Sequence, residues 1–218
     1  MNNNDFIIRR ENENDYREVE NLAREAFWNL SVPGCFEHYF IHIMRDHHDF
    51  IPELDYVAVA DGKIVGSVMY CKAKLVDEQR NEKDIVTMGP LCVLPGYQRR
   101  GIGKALLEHT FVIAKEMGYD TVINFGNPDN YVARGYKSCK RFNVCFEGDL
   151  FPAALLVKEL EEGVFDGRKW FYHPSDVDAP CGDEEAVGRF DALFPPKEKG
   201  WQPSQEEFYI HSHSSING

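Results

Sequence analysis

One stretch limits what this chain can become. Gln98-Arg99-Arg100-Gly101-Ile102-Gly103-Lys104-Ala105 lies between an apolar run, Ile85 to Leu94, and a pattern of helical period, Ile102 to Met117. A strand, a glycine-punctuated turn and a helix start make a site for an anion. The first amides of a helix have no partner within it, and the aligned peptide dipoles add about half a positive charge there. Gly101 and Gly103 carry no Cβ, so the backbone can turn tightly and let a phosphate come close. Arg99, Arg100 and Lys104 add positive charge beside it. The spacing fits neither common nucleotide fingerprint, since the phosphate-loop pattern is missing and G-x-G-x-x-G would need glycine where Leu106 stands.

The segment resembles the acyl-CoA-binding signature of the GNAT acetyltransferases, (Q/R)-x-x-G-x-(G/A), present here as Gln98, Gly101 and Gly103. The lead-in from Gly89-Pro90-Leu91-Cys92-Val93 to Tyr97 is similar to the strand that precedes the signature in that superfamily. The resemblance covers about residues 5 to 160 and is strongest over 85 to 136. It implies an α/β fold: a mixed, mostly antiparallel sheet of six to seven strands with one splayed parallel pair, flanked by about four helices. It also implies acetyl-CoA as co-substrate, held by Gln98, Arg99, Arg100, Gly101, Ile102, Gly103, Lys104 and Ala105. Backbone amides of Leu91, Cys92 and Val93 are expected to polarise the thioester carbonyl. Asn127, in the turn after the next strand, is placed with them.

Around this centre the chain reads in order. Phe6 to Ile8 is a short strand. Asp15 and Glu18 have the spacing of a capping box, and Tyr16, Val19, Leu22, Ala23, Ala26 and Phe27 follow at helical period. A second helix is expected over 35–47. Two β-rich runs, Asp55 to Ala60 and Ile64 to Tyr70, flank Asp61-Gly62, a hairpin signal, and the second arm is expected to extend towards Val76. Residues 77–84 read as a charged loop. Gly89-Pro90 interrupts the following strand, because proline donates no ladder hydrogen bond. In the superfamily it resembles, that strand splays from its parallel neighbour and admits the pantetheine arm. The helix after the signature sets Ile102, Leu106, Thr110, Ile113 and Met117 on one face. Thr121 to Phe125 is the next strand, and 142–146 and 153–160 read as closing strands. After Glu161, glycine and proline punctuate the chain. The reading is a domain over 1–160 and an extension over 161–218, packed on it by Phe165, Trp170, Phe171, Phe190, Phe194 and Trp201. Lys169 to Tyr172 is a further short strand, and residues from about His211 are expected to be mobile.

The balance of 24 Lys+Arg against 36 Asp+Glu, a formal charge of −12, argues against nucleic acid as a partner. It suits a cationic acceptor and is equally ordinary solubility chemistry. No signal pattern or membrane-length apolar run is present, so the reading is cytoplasmic with no membrane partner. Six scattered cysteines without C-x-x-C read as reduced, packed thiols, Cys139 and Cys145 being the closest pair.

Acetyl transfer to an amine needs a held donor, a polarised carbonyl, a neutral nucleophile and a proton for the departing thiolate. Asn130-Tyr131-Val132-Ala133-Arg134-Gly135-Tyr136 resembles the superfamily segment that follows the splayed strand, with Arg134 one position late. That places Tyr131 as the acid. No base stands out: Glu53, Asp55, His42 and His47 are the candidates on the acceptor side. His38 and His42 have metal-compatible spacing but no recognisable third ligand, so no metal is expected. Cys92 reads as a packed thiol, not an acyl carrier. The expectation is an N-acetyltransferase acting by direct attack of a small primary amine or an amino-terminal acceptor. Transfer to a hydroxyl or a protein lysine is a weaker option. The alternative from another class is a catalytically silent acyl-CoA-binding sensor or partner module. The tail is expected to shape the acceptor pocket or a homodimer contact.

Overall fold

The computed structural model describes residues 6–216. Strand β1 (Ile7–Arg10) leads through a 3-10 turn (Glu13–Asp15) into helix α1 (Tyr16–Phe27). The capping box sits one turn earlier than expected: Asn12 is the cap, and Asp15 answers by accepting the Asn12 N–H at 2.9 Å. Both acids of the expected box have other partners. Arg9 grips Asp15 with two hydrogen bonds of 2.6 and 2.8 Å, and Glu18 accepts the Ile64 N–H at 2.8 Å, tying α1 to the sheet. Helix α2 (Glu37–Met44) is shorter than 35–47, because Phe36 is non-helical and His47 closes a turn onto Met44.

Asp61 and Gly62 take positive φ of 50° and 75° and join β2 (Tyr56–Ala60) to β3 (Lys63–Asp77). This is the two-residue hairpin whose twist matches its strands. Half of the segment 77–84 is strand, since only four residues separate β3 from β4 (Glu82–Val93). Buried Asp77 makes so tight a turn possible by accepting the Gln79 and Asn81 amides at 2.9 and 2.8 Å. Then follow α3 (Ile102–Glu116), β5 (Thr121–Phe125), α4 (Pro128–Tyr131), β6 (Lys137–Ser138), β7 (Val144–Cys145), β8 (Leu155–Glu159), β9 (Trp170–His173), α5 (Glu184–Asp191) and α6 (Pro203–His213). Helix α3 buries Ile102, Leu106, Leu107, Thr110 and Ala114; Met117 falls on its C-cap, past the sheet, and is exposed.

The sheet runs β1-β2-β3-β4-β5-β8-β6, with β9 added to β3 and β7 added to β9. It has nine strands, more than the six to seven expected, and is mixed and mostly antiparallel. The excess has a clear origin. β3 is 15 residues long, and β2 covers only its first part, to Val68. Its far end, Lys74–Asp77, is free to take β9 from the extension. The stretch 142–146 yields only the two residues of β7, paired with β9, while β8 closes on β6. Ser138 caps a 3-10 turn over Cys139–Phe142, and Asn143 turns left-handed, lifting those residues off the ladder.

Helices α1 and α2 cover one face through Val19, Leu22, Ile41 and Met44, and α3 covers the other. The extension is anchored to α1 and α2. Asp191 of α5 accepts from Arg24 at 2.7 Å, Phe190 and Phe194 pack on His38, and the Arg17 guanidinium lies 3.6 Å from the centre of the Phe194 ring. Trp201 does not take part and is exposed. Its place is taken by buried Gln205, which donates to the carbonyls of Asn29 and Gly200 at 3.0 and 2.9 Å. Residues 211–213 continue α6, and Ser215 then bridges Pro152, so the chain stays attached where looseness was expected. All six cysteines are free, Cys139 and Cys145 included. Among the described residues no helix is long and apolar enough to cross a membrane.

Candidate active site

The turn ahead of α3 is built by two left-handed residues, Arg99 (φ 62°) and Gly101 (φ 87°), after Gln98 has locked the strand end by donating to the Val93 carbonyl at 3.1 Å. A left-handed conformation is open to glycine and costly for most other residues. The first α3 amide to reach a carbonyl is that of Ala105, which bonds Gly101 at 2.9 Å. The amides of Ile102, Gly103 and Lys104 precede it and point out of the helix end without helical partners. The turn is exposed, with Arg100 lying 5.0 Å from the centre of the Tyr97 ring and Lys104 loosely paired to Glu108 at 3.5 Å. Gly66 on β3 decides where the helix sits: a Cβ there would stand 2.7 Å from Ile102 Cγ2, so its absence lets the first turn of α3 seat on the sheet beside Val93. Gly103 differs, because a Cβ would meet Val93 and Leu91 at 3.6 and 3.9 Å, which is ordinary contact. The fold does not need glycine at 103.

The parallel pair β4–β5 holds together only at Val86–Val122 and Thr87–Ile123. Past Thr87, β4 passes through Gly89-Pro90 and stays with β3, pairing Leu91 with Val68 and Val93 with Gly66. On its β5 side, Leu91–Val93 has no ladder partner among the described residues. The ladder between β3 and β4 shifts register between Val68 and Tyr70, opposite this interruption. A cavity of about 550 Å³ opens at the split, between the Met88–Leu91 stretch of β4, the 124–127 end of β5 and helix α2. Leu91 lines it and also lies under Gly103, so the cavity and the turn adjoin.

Of the expected site residues, Leu91 and Asn127 line the cavity, as does Tyr131. Cys92 and Ile102 bury their side chains and leave only backbone to the site. Asn127 caps α4 by accepting the Asp129 N–H at 3.0 Å. The Tyr131 ring packs edge-on against Tyr136, 5.6 Å between centres. Burial raises its phenol above the usual value, with Asn124 beside it opposing, so it keeps its proton at neutral pH. Cys92 is packed among Val19, Leu22 and Met44, and burial pushes its thiol up to about 12. A thiol held protonated is a poor nucleophile.

The four base candidates do not line the cavity. Glu53 is exposed in the Pro52–Leu54 turn. Asp55 is buried beside Glu11, and burial, with that acid's hydrogen bond and charge, pushes it up to about 9. His42 is spent on Glu20 at 2.9 Å, and His47 lies 3.2 Å from Asp176. His38 and His42 face different carboxylates, since His38 Nε2 lies 3.1 Å from Asp191. The surface cluster His47, His48 and Asp49 brings ligand atoms within 4.8 Å of one another.

The buried acid that lines the cavity is Glu37, which the sequence reading passed over. It is buried at the start of α2, accepts the Phe36 N–H at 3.1 Å, and burial raises its carboxyl to about 7. The signal was available: Glu37, Ile41 and Met44 are spaced i, i+4, i+7, so a charged residue begins the buried stripe of α2.

The family model for the acetyltransferase (GNAT) family matches residues 17–138. An uncharacterized N-acetyltransferase, YjhQ of Escherichia coli (strain K12), is 30% identical over 88 residues, 40% of this chain, and the match spans about half (48%) of that relative's length. Among solved structures, the GNAT family N-acetyltransferase YhbS of Escherichia coli, in complex with CoA, aligns with a TM-score of 0.68 at 22% identity, over 80% of this chain and 92% of that one. A GNAT family acetyltransferase from Brucella melitensis, in complex with acetyl-CoA, aligns at 0.60 and 19% identity, over 79% and 97%. These likenesses show a common fold. The family match spans more than half of the chain, along the signature turn, the split strands and α3, and the chain belongs to the GNAT acetyltransferase family.

Proposed function

We propose that this protein transfers an acetyl group from acetyl-CoA to a primary amine by direct attack, with the diphosphate on the amides at the start of α3 and the pantetheine arm along the open edge of β4. One observation carries the reading. The cavity at the split holds a raised carboxyl, Glu37, and a protonated phenol, Tyr131, and adjoins the turn through Leu91.

The chemistry follows from those groups. An alkylammonium with pKa near 10.4 must lose a proton before it can attack. Glu37, poised near neutrality, accepts that proton directly or through one water. The amine nitrogen bonds to the thioester carbon, and the carbonyl oxygen takes charge facing the Leu91–Val93 amides. The C–S bond then breaks, Tyr131 protonates the departing thiolate, and the second proton shed by the attacking nitrogen restores the phenol. Glu37 supplies the general base for which no candidate stands out in the sequence, and its presence favours transfer over a silent module. Glu37→Gln is expected to lower turnover by about 10²-fold or more, the usual scale of a lost general base, with coenzyme A affinity unchanged. Equal turnover in thiol-release assays would remove Glu37 from the mechanism.

A further inference from the structure

We infer that the extension completes the acceptor site and selects a monoamine carried on an aromatic or branched-alkyl body, a substrate class that refines the acetyl-transfer reading and rests on it. The family match ends at residue 138, yet Tyr172 of β9, Asp178, and Glu207, Phe208 and His211 of α6 all line the cavity. Eight Phe and Tyr among the described residues line it. Phe36 and Phe40 come from the start of α2 and its cap, Phe146 from the segment after β7, and Tyr172 and Phe208 from the extension. The Tyr172 hydroxyl is spent on Thr87 Oγ1 at 2.7 Å, so this residue turns ring surface, not a free phenol, to the cavity.

The charges are one-sided. Glu37 is buried, Asp178 and Glu207 are exposed, and no Lys or Arg is among the described lining residues. An ammonium meeting the buried carboxylate is favoured, and ring faces add cation–π attraction. A ligand carboxylate would meet three acids and no Lys or Arg among these lining residues, so free amino acids are disfavoured. The exposed acids are solvated and screened, which makes them weak holders of a second ammonium. A diamine would also have to bury its charged far end among rings or reach past them.

The test is calorimetry on the full chain, with and without saturating coenzyme A, using 2-phenylethylamine, 3-phenylpropionate, putrescine and phenylalanine. Thiol release from acetyl-CoA is measured separately. 2-Phenylethylamine is expected to bind about tenfold or more tighter than the others, and Phe208→Ala is expected to weaken it by about tenfold or more. Binding without thiol release would uphold this inference and defeat acetyl transfer. Thiol release that prefers putrescine or phenylalanine would do the reverse. Equal binding of the carboxylate, no binding in either arm, or an unaffected Phe208→Ala would overturn the inference.

Discussion

Glu37→Gln should make the protein more stable as it makes it less active, and the gain should depend on pH. The folded carboxyl sits at about 7 against an ordinary value of 4.5, and burial is the cause. A raised folded pKa means the folded chain binds the proton more tightly than the unfolded chain. The stabilisation is therefore fully present below about pH 4.5 and is lost as pH rises through 7. The shift of about 2.5 units corresponds to about 3 kcal/mol of cost at pH 8, where folded Glu37 is ionised, and to about 1 kcal/mol at pH 5. Glutamine stays neutral and keeps an oxygen to accept the Phe36 N–H. For a chain of this size each kcal/mol moves Tm by about 2–4 °C, so the variant should melt roughly 6–12 °C higher than the parent at pH 8 and only a few degrees higher at pH 5. Thermal unfolding of both proteins at the two pH values is the assay. A Tm difference that is absent, or the same at both, would refute the reasoning that Glu37 is held in a costly buried state.

Gly103→Ala should fold normally, because its Cβ meets only ordinary contacts, whereas Gly103→Asp should abolish coenzyme A binding by placing a carboxylate against the diphosphate; unchanged affinity of the Asp variant by calorimetry would contradict that. Tyr131→Phe should lower turnover with coenzyme A affinity nearly intact, and steady-state kinetics beside calorimetry checks both halves. Turnover of the parent should rise with pH through about 7 as Glu37 ionises, and this limb should vanish in Glu37→Gln. Asp191→Ala leaves the buried Arg24 guanidinium without its 2.7 Å partner and should cost about 3 kcal/mol, since Asp191 keeps some contact with water; an unchanged Tm would mean that α5 is a loose appendage.

The part of the fold legible in the sequence is the part set by local chemistry. The Asp61-Gly62 hairpin, the interrupted strand at Gly89-Pro90 and the turn before α3 each follow from a few neighbouring residues, and each lies where those residues indicated. Long-range competition hid the rest. Glu18 had the spacing of a capping box, but a distant amide, Ile64 N–H, claims it. Strand β9 lies where Lys169 to Tyr172 read as a strand, but its place on the sheet was hidden, because it depends on how far β3 outruns β2. Tyr131 was found through its segment, and it does line the cavity. Glu37 was missed because the base candidates on the acceptor side were Glu53, Asp55, His42 and His47, while burial by residues far along the chain made a helix-start glutamate the buried acid of the cavity.

The central claim is that the unpaired amides of Ile102, Gly103 and Lys104, together with the free edge of β4, form a seat for coenzyme A. Titration of coenzyme A into the full chain, followed by amide NMR, tests it most directly. The account predicts saturable one-to-one binding, with the largest shifts at 102–104 and 91–93 and little change in α5. Saturation elsewhere, or none at millimolar ligand, would contradict it.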